Sequence, residues 1–483
     1  MPNRLALTAA LLLAGCSQQV KYVQPGLPTA PDYPAYAGPV GAGPRAVDVD
    51  WRSFFRDARL QALIERALVN NRDLRAAVLR IEEARSQYRI QRADRFPTID
   101  ASAGASRART EGFQGGGGQQ GSGAVTQNRF DIGVGVSSFE LDFWGRVRSV
   151  TEAARARYLA TIQAQRAFQI SLIADVAEAY LTERELDARI DVAERAIGSR
   201  QRALEIGRLR LNAGVTSALD YRQIETLLTQ AQSQLANLQL QRAQARNQLE
   251  FLVGGPAPGA LPAPVPFADQ GIVENISAGL PSELLVNRPD ILEAEEQLRA
   301  ANADIGAARA AFFPQISLTG ALGLASTALG NLFSGDAFNW NAGVGVGLPI
   351  FDAGRRRANL DVADARRGIA TASYERAIQN AFREVSDRLA GRRWLFDRLT
   401  SQQREAAAQR ARAELATLRY RNGVANYLEV LDAERDLFAA EQQVLLTRRE
   451  QLTNAVDLYV ALGGGLNSPG QPAASAQSSL VRP

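Results

Sequence analysis

Histidine, cysteine and lysine, on which much acid–base, nucleophilic and metal chemistry depends, are nearly absent from this chain of 483 residues. Histidine does not occur, which removes a Ser-His-Asp triad, a Cys-His dyad, an HExxH zinc helix and every histidine-liganded metal site. Cys16 is the only cysteine, so a disulfide within one chain and a cysteine-cluster metal site are excluded. Lys21 is the only lysine and stands near the amino terminus, whereas a Walker A loop and a Schiff-base enzyme both need a lysine deep in a folded domain. Two glycine-rich stretches remain, residues 112–123 and Gly343-x-Gly345-x-Gly347. Neither leads into a helix start at the dinucleotide-binding spacing, and the second alternates as a strand. The expectation is a chain that is not an enzyme and holds no cofactor or metal.

The formal net charge of +4 is carried almost entirely by arginine, with both signs interleaved along the chain. That pattern argues against nucleic acid as a partner. Mean hydropathy is -0.18, and beyond the amino terminus no segment approaches the roughly 18 unbroken apolar residues of a transmembrane helix. A chain of this kind can cross a membrane only on strands.

The amino terminus reads as an address. Arg4 supplies a short positive region, Leu5 to Ala14 a continuous apolar one, and Leu13-Ala14-Gly15-Cys16 follows. The arrangement resembles a bacterial lipobox, which implies a signal peptide over 1–15, cleavage before Cys16 and a lipid on that cysteine. Ser17 follows rather than aspartate, as in lipoproteins sorted to the outer membrane. Residues 16–50, rich in Pro, Gly, Ala and Tyr, read as an extended lipidated arm.

Two copies of one plan follow. Asp73 to Pro97 matches Asp290 to Pro314, including Phe96-Pro97 with Phe313-Pro314. Gly133-Val134-Gly135-Val136 matches Gly343-Val344-Gly345-Val346, and Asp142 matches Asp352. Gly145-Arg146 then pairs with Gly354-Arg355, and this register continues without a gap through Gly214-Val215 with Gly423-Val424 to Gly254-Gly255 with Gly463-Gly464. The expected organisation is a first repeat over 51–255, a proline-rich linker over 256–282, a second repeat over 283–465 and a disordered tail over 466–483.

Within each repeat the elements follow from period. No proline occurs over 98–255 or 350–468, which favours long helices. Ile224, Leu228, Ala231, Leu235, Leu238, Ala245, Leu249 and Leu252 keep a heptad rhythm broken only by Arg242, and Leu186, Ile190, Ala193, Ile197, Leu204 and Leu211 keep the same sense. Strand pairs are expected at about 97–142 and 314–352, where apolar and small or polar residues alternate in runs of about ten, the length of a tilted membrane strand. Four membrane strands cannot close on themselves, and open edges in lipid cost several kcal/mol per unpaired group. The chain must then oligomerise, with two copies giving eight strands and three giving twelve, and a conduit needs the larger barrel.

The lipobox, the duplicated helix-strand-strand-helix plan, the strand exits Leu141 to Arg146 and Ile350 to Arg355, and the turn Tyr420 to Glu434 together resemble the outer membrane factor family of TolC-like and OprM-like channels. The resemblance covers roughly residues 51–465. It implies a mixed α and β membrane protein, a homotrimer whose twelve-stranded transmembrane β-barrel, four strands per chain, continues into a long periplasmic α-helical coiled-coil barrel. It further implies an outer-membrane exit duct for drugs or other small molecules. The implied partners are a periplasmic adapter, an inner-membrane pump of the resistance-nodulation-division class and outer membrane lipid.

The same resemblance points to the helical turns. Gly214-Val215 and Gly423-Val424 correspond to the tip that meets the adapter. Asp432 matches the aspartate ringing the closed aperture and Glu429 a second acidic position, while Asp220 and Tyr420 match residues that latch neighbouring helices. Ala425 stands where the TolC type carries the partner arginine of that latch. Read from position alone, Asp220, Glu429 and Asp432 lie near helix starts and complement the macrodipole. Two other uses stay open, a duct for type I protein secretion and a non-channel coiled-coil lipoprotein scaffold.

Overall fold

The computed structural model describes residues 18, 20–35, 43–110, 124–256 and 261–466. Cys16 with its lipobox, the glycine-rich 112–123 and the tail beyond residue 466 lie outside them. The principal elements are α1 (Ala58–Asn70), α2 (Arg72–Ala93), β1 (Asp100–Thr110), β2 (Val125–Leu141), α3 (Arg146–Asn212) and α4 (Ala218–Val253). They are followed by α5 (Pro289–Ala310), β3 (Gln315–Ser326), β4 (Phe338–Gly347), α6 (Arg355–Arg421) and α7 (Tyr427–Ala461). The duplication is exact in length where it matters: α2 and α5 each have 22 residues, and α3 and α6 each have 67.

A helix of 67 residues measures about 100 Å along its axis at 1.5 Å per residue. The matched aspartates of the strand exits start both long helices. The carboxylate of Asp142 accepts from the amides of Val147 (3.0 Å) and Arg148 (2.7 Å), and that of Asp352 from Gly354 and Arg356 (both 3.2 Å). A carboxylate there satisfies amides that have no partner within the helix and faces the positive end of its dipole.

The chain divides into two compact units, one comprising residues 1–25, 81–160 and 294–373, the other 26–80, 161–293 and 374–483. The first unit contains a single antiparallel sheet in the order β1-β2-β3-β4. Residues directly opposite share a face, so Ala103, Ile132, Leu324 and Phe338 form one apolar row and Ala101, Val134, Leu322 and Trp340 the next. Behind them Ser102, Gly133, Gly323 and Asn339 form a small, polar row. The apolar rows are uncovered in the single chain, with Trp340 70% exposed. Both outer edges of the sheet, on β1 and β4, have no partner strand among the described residues.

One strand departs from expectation. β2 has 17 residues rather than about ten, because Val125 to Arg129 extend the ladder against Ser106 to Thr110. Thr126 to Arg129 within that extension are all polar, so hydrophobic alternation could not reveal it. A bulge between Val136 and Phe139 then shifts the register before the strand ends. At its exit, Trp144 stacks on Phe313 with 4.8 Å between ring centroids and donates from Nε1 to the Pro314 carbonyl at 2.7 Å.

The second unit holds the densest core. Trp51, Phe54, Phe55, Leu63 and Ile64 are fully buried. Phe54 stacks on Tyr459 at 4.1 Å, whose hydroxyl donates to the Val49 carbonyl, and the Tyr180 hydroxyl donates to Asp57, both at 2.6 Å. The heptad positions pack as read: Leu186, Ile190 and Ala193 of α3 meet Leu238 of α4, and Ala413 and Ala416 of α6 meet Val430 and Ala433 of α7. Arg242, the residue out of rhythm, reaches Asp187 at 2.6 Å.

Within the connection, residues 261–282 pack more closely than a proline-rich linker suggests. Phe267, Ile272 and Ile276 are buried, Ile272 bridges to Phe55, and Arg392 donates to the Ile276 carbonyl at 2.8 Å. Three apolar anchors suffice to pack a segment whose prolines only bar it from helix. No helix among the described residues is long and apolar enough to cross a membrane.

Candidate gate at the helical turns

Both long helices end in the same backbone device. Gly214 has φ 69° and Gly423 φ 75°. The Val215 amide donates to the Arg210 carbonyl and the Val424 amide to the Arg419 carbonyl, each at 3.0 Å, while Gly214 and Gly423 donate to Leu211 and Tyr420. This is a Schellman closure, whose left-handed residue favours glycine. A Cβ on either glycine would meet nothing within 4 Å, so the requirement is one of backbone conformation and not of space. Val215 and Val424 project outward, 62% and 66% exposed.

The helices that follow are capped differently. Ser217 caps α4 in a full capping box: its hydroxyl accepts from the Asp220 amide at 3.1 Å, and the Asp220 carboxylate accepts from the Ser217 amide at 3.3 Å. The Thr216 hydroxyl adds a third bond to that carboxylate at 3.1 Å. Hydrogen bonding by Ser217, joined by Thr216, holds the Asp220 carboxyl below the usual carboxylate range. Asn426 caps α7 alone, accepting from the Glu429 amide at 3.2 Å.

The carboxylate of Glu429 is therefore turned elsewhere, to Arg419 at 3.1 Å. Asp432 pairs with Arg435 at 3.2 Å, and Arg435 also holds Asp436, which Arg412 pairs in turn. Glu429 and Asp432 are both substantially exposed. Pairs of this kind contribute about 0–1 kcal/mol each and are readily exchanged. Tyr420 accepts a short hydrogen bond from Arg210, whose guanidinium lies 4.8 Å from the Tyr420 ring centroid. Tyr427 packs edge-on against the same ring at 4.8 Å, and burial pushes its phenol pKa up. Tyr420 thus ties α6 to α3.

The structure brings the expected residues together in two groups. Gly214, Val215 and Asp220 form the first turn; Tyr420, Gly423, Val424, Glu429 and Asp432 form the second. Four participants were not singled out in the sequence: Arg210, Arg419, Arg435 and Tyr427. The internal repeat contained the signal for two of them, since the register that pairs Gly214 with Gly423 also pairs Arg210 with Arg419 and Asp220 with Glu429. The guanidinium that meets Tyr420 comes from Arg210 on another helix. Among the described residues no group of three or more Asp, Glu, His or Cys side chains could hold a metal ion. The acids of the second turn stand in exposed ion pairs that can be exchanged without disturbing the backbone.

A family model described as outer membrane efflux protein matches residues 63–255 and 280–464. The chain is 43% identical over 484 residues to the probable efflux pump outer membrane protein TtgC of Pseudomonas putida, covering 99% of this chain and 98% of that protein. It is 41% identical over 463 residues to the cation efflux system protein CusC of Escherichia coli K12, covering 95% and 99%. The crystal structure of the open state of the MtrE outer membrane channel of Neisseria gonorrhoeae superposes with a TM-score of 0.86 at 39% identity, covering 95% of this chain and all of that one. Two matched segments separated by an unmatched connection repeat the duplication read from the residues, and the chain belongs to the outer membrane efflux protein family.

Proposed function

We propose that this chain forms the outer-membrane exit duct of a tripartite efflux system, passing small molecules received from an inner-membrane pump through a periplasmic adapter. The open four-stranded sheet carries the reading. Its apolar rows are uncovered and its two edges are unpaired, a state that lipid does not tolerate. Three chains joined β4 to β1 give twelve strands, wide enough for a conduit and with no edge left. The turns at Gly214-Val215 and Gly423-Val424 are the adapter contacts, and the pump is of the resistance-nodulation-division class. Cys16 carries the lipid that fixes the arm to the outer membrane.

Asp432 and Glu429 ring the aperture in this reading. Three copies of each around one axis favour cations and make closure sensitive to bound cations. Single-channel conductance in a planar bilayer, with the mass of the detergent-extracted protein, tests the duct. A trimer with discrete conductance steps is expected; a folded monomer without conductance rejects it. Asp432→Ala is expected to raise conductance and weaken block by cations, and unchanged values of both remove Asp432 from the aperture.

A further inference from the structure

Within the first unit a cleft of about 670 Å³ opens beside the start of α3, lined by Val20, Lys21 and Tyr22 of the amino-terminal arm, by Arg148 and Arg155 of α3, and by the α5 face around Arg299. Its acidic lining residues are Glu152 and Glu296. Arg299 engages Glu296 at 2.8 Å and Glu295 at 2.7 Å, and its guanidinium lies 5.1 Å from the Tyr22 ring. The Tyr22 hydroxyl donates to Glu295 at 3.2 Å, and Asn302 donates to the Val20 carbonyl at 2.7 Å, so the arm is pinned in place. The other three cations form no close pair, and Arg155 is near enough to Glu296 to act on its carboxylate through space. Among the described residues, Lys21, Arg148 and Arg155 make no side-chain hydrogen bond or ion pair, and Arg155 Nε is buried without an acceptor.

The depth of the cleft suggests its ligand. Arg148 is two residues into α3, about 3 Å along the axis, and Arg155 nine residues in, about 14 Å, with the long side chains of a helix leaning back toward its start; Trp144 at the strand foot is a residue type that settles at the membrane interface. The headgroup layer adds about 5–8 Å beyond each face of the hydrocarbon. We propose that Lys21, Arg148 and Arg155 bind the phosphate of an anionic phospholipid headgroup of the inner leaflet. The proposal rests on the reading of β1–β4 as membrane strands. Three donors aimed into one cleft suit a phosphodiester, whose oxygens accept charge-assisted bonds, and the chain's only lysine is brought there by the arm that follows Cys16.

Native mass spectrometry of the full-length protein, in micelles with equal phosphatidylglycerol and phosphatidylethanolamine, reads which lipid stays bound and at what concentration. Phosphatidylglycerol is expected to be retained preferentially. The combined Lys21→Gln, Arg148→Gln and Arg155→Gln variant is expected to weaken its retention by at least about tenfold, with phosphatidylethanolamine unchanged. The combined Lys21→Arg, Arg148→Lys and Arg155→Lys variant is expected to keep the preference. Equal retention of both lipids by the unmodified chain overturns the proposal, as does preference persisting in the glutamine variant. Displacement of the lipid by millimolar inorganic phosphate overturns it in favour of a site for free phosphate. Failure of the underlying strand reading looks different: the protein then stays dispersed without detergent and retains neither lipid.

Discussion

The two helical turns share a backbone and an N-cap bond but differ in the partners of their charged side chains. Each closes on a left-handed glycine followed by an exposed valine, and each is preceded four residues earlier by an arginine, Arg210 or Arg419. In the first turn Asp220 is consumed by its own capping box, which leaves Arg210 to cross to Tyr420. In the second, a neutral asparagine does the capping, Glu429 is released, and Arg419 takes it. The register also places Gln223 where the second turn has Asp432. The change from Thr216-Ser217 with Asp220 to Ala425-Asn426 with Glu429 accompanies the change from an acid held in its own cap to one held in an exchangeable pair. The exposed acids in ion pairs thus lie at the second turn.

The shared part can be broken first. Gly214→Val and Gly423→Val each force a β-branched residue into left-handed backbone, costing about 1–2 kcal/mol. Equal losses in chemical unfolding are expected, and a large inequality would mean that the two closures are not equivalent. Cap removal comes next, with Ser217→Ala and Asn426→Ala each costing about 1 kcal/mol. Only the first should alter acid stability. The Asp220 carboxyl is lowered in the folded state, so its contribution is complete above the ordinary carboxylate range and is lost as pH falls through the folded value. Ser217→Ala should flatten that acid-side decline, and Asn426→Ala should leave it in place.

Smaller effects separate the two arginines. Arg210→Ala loses a hydrogen bond and a cation–π contact, together about 1 kcal/mol, and should loosen α6 from α3 as read by amide hydrogen exchange near Tyr420. Arg419→Ala removes a surface pair and should scarcely change stability, yet it frees the Glu429 carboxylate and should strengthen cation block of conductance. Gln223→Asp gives the first turn the acid it lacks. If position alone makes a gate residue, block should increase again; no change would assign the aperture to the second turn alone.

Periodicity made most of the architecture legible. Heptad rhythm in proline-free stretches located α3 and α4, the absence of proline with the repeat located α6 and α7, and alternation located the apolar face of the sheet, because burial repeats along a regular element. The polar extension of β2 over 125–129 left no such trace, since a ladder needs only backbone partners. The packing of 261–282 was hidden for the opposite reason, its few anchors Phe267, Ile272 and Ile276 standing among prolines. At the turns, the acids and glycines are visible as types at positions, but the guanidinium that meets Tyr420 is not. It lies on Arg210, 210 residues away in sequence, a distance no local pattern spans.

The equal 67-residue lengths of α3 and α6 act as a matched pair of gauges. From strand exit to turn, each copy measures out the same chain. A seven-residue insertion in one copy alone would keep its heptad phase while displacing its turn by about 10 Å relative to the other. Tyr420 could then no longer meet Arg210. Changes in the length of this protein are therefore confined to paired events, one in each repeat, and the reach of its helices is set by the two copies jointly.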